Sequence, residues 1–263
     1  MPALERLVFF GTPDFAVPTL QALVAAGRVP ILVVAQPARP AGRGRELREP
    51  AVALWARQHG LAVEQPQRVR APEFLALMRS LQPDLAVVAA FGQIFPEELL
   101  AIAPAGCLNV HASLLPRWRG AAPIQAALAA GDPATGITTM LMERGLDRGP
   151  ILLQREVPIE PRDTALELGS RLAILGGALM VETVAGWERG ELVPRPQPEG
   201  GTYAPRLEKG QARVDWSLPA RTLFDRWRAW QPWPGCESVW RGETVKILSA
   251  APCSATDAAA TAE

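Results

Sequence analysis

The chain has 263 residues, 48% of them apolar and 21% charged, the mix of a soluble globular protein long enough for two units of unequal size. Its 27 basic and 27 acidic side chains cancel, so no global charge favours nucleic acid and any RNA contact needs a local basic patch. Cys107, Cys236 and Cys253 are dispersed and histidines number only 2, which argues against a disulfide framework and a metal site.

In chain order, an apolar run over residues 7–10 predicts the first strand, and the amino terminus lacks the build of a signal peptide. Gly11-Thr12-Pro13 follows this strand without a GxGxxG pattern, which makes a nicotinamide-dependent oxidoreductase a poor reading. Helical spacing over 15–26 leads to a second strand over 30–35. Arg39, Arg43, Arg45 and Arg48, with Pro and Gly between them, then make an electropositive loop. Taken alone, such a run is a solvated charged surface. Helices follow over 51–59 and 72–81, the first closed by His59 and Gly60 as a carboxyl-terminal cap.

The strand predicted over 85–91 contains Val87-Val88-Ala89-Ala90, apolar on both faces as a central strand covered by helices must be. Further strands are expected over 108–112, 137–142 and 151–158, with a helix over 124–130. A long helix is expected from about 164 to 187, with Asp163 as its N-cap. No apolar stretch is expected to reach the ~20 residues of a membrane span, and the chain reads as cytoplasmic. The alternation predicts the α/β class: a doubly wound, mostly parallel sheet with ligands at the carboxyl ends of its strands.

Pro194, Pro196, Pro198, Gly200, Gly201 and Pro205 mark an exposed linker over 189–207, between a unit of 1–188 and one of 208–263. The second unit is expected to hold a helix over 219–230, a turn over 233–235 and a hairpin of 238–240 with 244–248. Two or three strands cannot close a barrel, so this unit is expected to be incomplete, with a disordered tail from about 250. Trp227, Trp230 and Trp233 beside Arg226 and Arg228 suggest RNA stacking. The helical spacing of Leu223, Trp227 and Trp230 instead favours packing.

The chemistry concentrates in Asn109-Val110-His111. Residues two apart on a strand share a face, so the carboxamide and the imidazole project together while Val110 packs opposite. Such a pair at a strand's end can donate hydrogen bonds to an oxyanion developing on a carbonyl; it can equally be a polar pair that merely closes a strand. The stiff segment Ser113-Leu114-Leu115-Pro116-Arg117-Trp118-Arg119-Gly120-Ala121-Ala122-Pro123 follows. Its Pro123 suits a first helical turn, and Gly120 permits close backbone approach. Asp147, two residues before Gly149, is ordinary in a turn. Near His111 its carboxylate would favour the cationic imidazole, orient it and accept protons.

Asn-x-His, Ser-Leu-Leu-Pro, Arg-Trp-Arg-Gly-Ala-Ala-Pro-Ile-Gln and Gly-Leu-Asp-x-Gly occur in this order, from Asn109 to Gly149. The set resembles the 10-formyltetrahydrofolate-dependent formyltransferases, in particular those acting on methionyl-tRNA. Gly11-Thr12-Pro13-Asp14-Phe15-Ala16, the arginine loop and Val214-Asp215-Trp216-Ser217 support it, and the match runs from about Val8 to Ser249. The resemblance implies a Rossmann-like catalytic domain followed by an OB-like tRNA-binding domain. It implies Asn109, His111 and Asp147 as the catalytic trio, and Ser113, Leu114, Leu115 and Pro116 as the part that holds the folate. It further implies a monomer that needs no metal, attack of the methionyl-tRNA amine on the formyl carbon, and insertion of Arg39, Arg43, Arg45 and Arg48 at the tRNA acceptor end. Relatives commonly have aspartate where this chain has Ala38. Alternatives are the same transfer to an amino sugar nucleotide or to water, and an RNA-binding relative without turnover.

Overall fold

A computed structural model describes residues 4–41 and 46–251. In chain order the elements are β1 (Leu7–Gly11), α1 (Val17–Ala25), β2 (Leu32–Val34), β3 (Arg39–Ala41), β4 (Glu46–Arg48), α2 (Ala51–Gln58), β5 (Val63–Glu64), α3 (Pro72–Leu81), β6 (Leu85–Ala89) and α4 (Glu97–Leu100). They continue as β7 (Cys107–His111), β8 (Arg119–Gly120), α5 (Pro123–Ala129), β9 (Ala134–Leu141), β10 (Ile151–Pro158), α6 (Ala165–Glu188), β11 (Tyr203–Ala204), α7 (Ala220–Ala229), β12 (Glu237–Trp240) and β13 (Glu243–Lys246).

Seven strands form one sheet in the order β10-β9-β7-β6-β1-β2-β5. The five strands from β7 to β5 run parallel, and β9 and β10 add antiparallel pairs at one end. From β1 the chain first builds outward through β2 and β5, then returns to place β6 on the other side of β1. That reversal opens a crevice at the carboxyl ends of the central strands.

Strand alternation sorts the core into two layers. Leu7, Phe9, Val87, Leu108 and Val110 pack with α1 and α6 on one face. Val8, Phe10, Val88 and Cys107 pack with Phe74, Met78 and Leu99 from α3 and α4 on the other. The expected doubly wound sheet is the observed one. β6 stops at Ala89, short of the expected 91, because Ala90 turns to a φ of 45° and leaves the ladder.

Two expectations about the long helix change. Thr164, not Asp163, caps α6, in a capping box with Glu167. The Asp163 carboxylate instead accepts the backbone N–H of Glu160 at 2.7 Å and pairs with Arg171 at 2.6 Å. Contrary to the expectation that no stretch reaches span length, α6 has 24 residues with an 18-residue window of mean hydropathy 1.4, apolar enough to cross a membrane by length and composition. Half of that window is buried, and its small Gly176 and Gly177 let it lie close against β7 and α1. The segment expected to be an exposed linker is also held at two points: Arg195 exchanges two backbone hydrogen bonds of 2.8 Å with Ile151, and β11 pairs with β8.

The carboxyl-terminal segment forms α7, which packs on α5, and the hairpin of β12 and β13. Ala229, Trp230 and Cys236 join the core layer of α1 and α6, so the tryptophan spacing reflects packing. Arg228, 1% exposed, pairs with buried Asp225 at this junction and donates to the Glu160 carbonyl at 3.2 Å. The expected tail from 250 and Cys253 fall almost wholly outside the described residues.

Candidate active site

β7 presents the first two residues as its alternation requires. Val110 turns toward α6, where a Cβ added at Gly176 would lie 2.9 Å from its Cγ1. Asn109 and His111 both line a cavity of about 860 Å³ at the strand's carboxyl end. The walls come from Pro13 after β1, the Phe91–Phe95 loop after β6, and the turn after β9 that carries Leu146 and Asp147. These are the crevice positions that the strand order leaves open.

The buried imidazole of His111 has Nε2 2.9 Å from the Trp118 carbonyl oxygen. A carbonyl only accepts, so Nε2 carries a proton and Nδ1 is the nitrogen turned to Asp147. Asp147 Oδ2 lies 3.7 Å from Nδ1, and the two side chains are 14% and 6% exposed. That is ion-pair distance yet too long for a hydrogen bond, a gap that one water or substrate atom can bridge.

Asp147 is held from another side as well. The Gly120 N–H donates to its Oδ2 at 2.8 Å, and its own backbone has a φ of 51°. For a residue with a Cβ, this left-handed conformation costs roughly 1–2 kcal/mol, so surrounding contacts must enforce it. Gly120 itself has a φ of 113°, and a Cβ there would meet the Ala204 carbonyl oxygen at 2.5 Å. The 117–121 segment thus serves both partners: Trp118 offers a carbonyl to His111, and Gly120 offers an amide to Asp147.

Ser113, Leu114, Leu115 and Pro116, expected to hold the folate, directly follow His111 and Ala112 and are not among the residues lining the cavity. Ser113 is fully buried and donates to the Arg117 carbonyl at 2.5 Å. Leu115 packs with Met140 and Ile151. β9 claims the turn's backbone: Thr138 Oγ1 donates to the Ser113 carbonyl at 2.6 Å and accepts from the Leu115 N–H at 3.0 Å. Arg39 and Arg48 are paired across the hairpin of β3 and β4 and are not among the residues lining the cavity. Arg43 and Arg45 lie outside the described residues. At the start of β7, on the same face as Asn109 and His111, burial pushes the Cys107 thiol up to about 12, so it offers no nucleophile.

The family model described as "Formyl transferase" matches residues 5–184, and that described as "Formyl transferase, C-terminal domain" matches 206–262. The chain belongs to the formyl transferase family. A methionyl-tRNA formyltransferase of Anaeromyxobacter dehalogenans (strain 2CP-C) is 52% identical over 248 residues, covering 94% of this chain and 80% of that protein. One from Thermodesulfovibrio yellowstonii is 45% identical over 242 residues, covering 92% and 79%. Among solved structures, a sugar N-formyltransferase from Shewanella sp FDAARGOS_354 shares the fold with a TM-score of 0.73 at 23% identity, covering 96% of this chain and 100% of that one. HypX from Aquifex aeolicus, solved in complex with tetrahydrofolic acid, superposes with a TM-score of 0.68 at 18% identity, covering 94% and 38%.

Several residues that shape this formyl transferase's cavity escaped sequence reasoning. Phe91, Ile94, Phe95 and Leu146 form its apolar walls, and Ile94 is 88% exposed despite its side chain. The rule that ligands sit at the carboxyl ends of parallel strands, applied to the loop after β6, points to the first three. Trp118 and Gly120 act through backbone groups, which leave no side-chain signal.

Proposed function

We propose that this chain transfers the formyl group of 10-formyltetrahydrofolate to the amino group of initiator methionyl-tRNA, giving N-formylmethionyl-tRNA for translation initiation. The observation that carries this reading is the meeting of Asn109, His111 and Asp147 at one cavity, in a chain 52% identical to a curated methionyl-tRNA formyltransferase.

The cavity fits a folate. Its volume falls within the ~300–1,000 Å³ of ligand pockets, and Phe91, Phe95, Leu100 and Met142 offer apolar surface to a flat ring. HypX, which binds tetrahydrofolic acid, has the same fold and supports this assignment. The bound folate supplies a formyl group on a nitrogen that can leave. The Asn109 amide donates to the formyl oxygen, and His111 Nδ1, when protonated, stabilises negative charge growing there. Asp147 keeps that imidazole oriented, takes the proton released by the attacking amine, directly or through one water, and returns it to the folate nitrogen as that nitrogen's bond to the formyl carbon breaks.

In this reading residues 1–188 carry the chemistry and 208–263 grip the tRNA, joined by 189–207. Arg39, Arg43, Arg45 and Arg48 reach the acceptor end, where guanidinium groups contact phosphate and stack on bases. Incubation with the formyl donor is expected to formylate methionine-charged initiator tRNA far faster than amino sugar nucleotides. Transfer to the sugars alone would move the assignment to the sugar reading suggested by the fold of the Shewanella enzyme. Transfer to neither would sink both.

A further inference from the structure

Gln197 lies in the Pro/Gly-rich stretch between the two units, yet all its side-chain hydrogen-bonding capacity is spent beside the cavity. Its Nε2 donates to the carbonyl oxygens of Asp147 and Gly149, each at 2.8 Å. Its Oε1 accepts from Arg119 Nε at 2.9 Å and from Arg119 Nη2 at 2.7 Å. Only one orientation of the amide works: flipped, the oxygen would face two carbonyls and the NH2 a guanidinium.

These partners are the two loops that build the site. Arg119 sits between Trp118, whose carbonyl accepts from His111, and Gly120, whose N–H donates to the Asp147 carboxylate. Asp147 holds a left-handed backbone, with φ 51°, that needs external enforcement, and Gln197 grips its carbonyl oxygen. The strap is fastened on either side as well: the Trp118 N–H donates to Thr202 Oγ1 at 2.8 Å, and the Arg119 N–H to the Thr202 carbonyl at 2.9 Å. Arg195 anchors its near end on Ile151. Gln197 alone in this stretch touches both loops through one side chain.

We propose that Gln197 is a positioning residue, a clamp that sets the Asp147 loop against the 118–120 segment and so fixes the carboxylate relative to His111. This deepens the proposed function and rests on its assignment of Asn109, His111 and Asp147. A clamp of this kind acts on the reacting geometry, where a displacement of about 1 Å can cost about a hundredfold in rate.

Two variants test it. Gln197→Glu keeps an acceptor for Arg119 but sets oxygen against the Asp147 and Gly149 carbonyls; Gln197→Met keeps the side-chain length and removes every polar contact. Both are expected to lose about tenfold to a hundredfold in kcat for formylation. KM for the folate and for methionyl-tRNA should stay within about twofold, since Gln197 is not among the residues lining the cavity, and folding should be retained. Backbone amide exchange on the protein without substrates gives a second readout. The Gly120 amide, bonded to the Asp147 carboxylate, should exchange about tenfold faster in both variants, the loss of one hydrogen bond. The Ala121 amide, bonded to the Ala204 carbonyl at 2.9 Å, should stay as in the wild type.

Wild-type kcat in either variant, a rise in KM alone, or unchanged exchange at Gly120 overturns the proposal. Equal acceleration at Ala121, or loss of folding in both variants, assigns Gln197 to general stability and overturns it too. The exchange measurement needs no turnover, so it judges the clamp even if the wild-type chain formylates nothing, a result that would count against the proposed function alone.

Discussion

Thr138→Val separates a structural role for the 113–116 turn from a ligand-holding one. The substitution keeps shape and removes one hydroxyl from a fully buried site. That hydroxyl donates to the Ser113 carbonyl at 2.6 Å and accepts from the Leu115 N–H at 3.0 Å and Gln154 Nε2 at 3.0 Å. The Gln154 amide also bonds the Leu115 carbonyl, so it retains a partner. The two backbone groups lose theirs, and a buried unsatisfied group costs ~1–3 kcal/mol, giving a loss of about 2–6 kcal/mol for the pair. Urea unfolding should register this as a midpoint lowered by on the order of 1 M, given slopes of ~1–3 kcal/mol/M. Folate affinity, titrated well below the transition, should change by less than about twofold, because the turn lies outside the cavity lining. An unchanged midpoint would refute the hydrogen-bond account. A large loss of folate affinity at unchanged stability would assign Ser113, Leu114, Leu115 and Pro116 to the binding site.

Gly120→Ala should cost about a hundredfold in kcat, because the new methyl meets the Ala204 carbonyl at 2.5 Å and the strained backbone must shift the amide that holds Asp147. Wild-type kinetics in a folded variant would show that amide to be dispensable. The Glu188 carboxyl is held below the usual carboxylate range by its hydrogen bonds from Arg28 and from the Leu4 N–H. A depressed folded-state value stabilises above the unfolded carboxylate range and is lost as pH falls through the folded one. Glu188→Gln should therefore be less stable than wild type at pH 7, with the gap closing in acid; a gap that widens in acid would contradict the assignment.

The sheet was legible because its signals are local. Strands apolar on both faces and helices at regular spacing demand a covered parallel sheet, and period-2 alternation put Asn109 and His111 on one side. Asp147 became a site residue only through family resemblance, since nothing in a Gly-Leu-Asp-x-Gly turn specifies what it approaches in space. The hydrogen bonding of the 113–116 turn was hidden for a related reason: Thr138, which bonds its backbone, lies on another strand. Gln197 was hidden by its neighbours. Proline and glycine correctly announce backbone outside regular structure, but they do not tell whether that backbone is free or bound to distant loops. The Asp163 cap failed by one residue, because Asp163 and Thr164 are both good caps and the pairing of Asp163 with Arg171 decided between them.

The most direct test of the site is the single-turnover formylation rate of His111→Ala with folate donor and methionyl-tRNA both saturating. An oxyanion donor acting only in the transition state is worth ~2.7–4 kcal/mol, so the rate should fall by about a hundredfold to a thousandfold with substrate binding intact. A folded His111→Ala chain that formylates within about threefold of wild type would contradict convergence of the trio on the formyl oxygen, because a change that small is under ~1 kcal/mol.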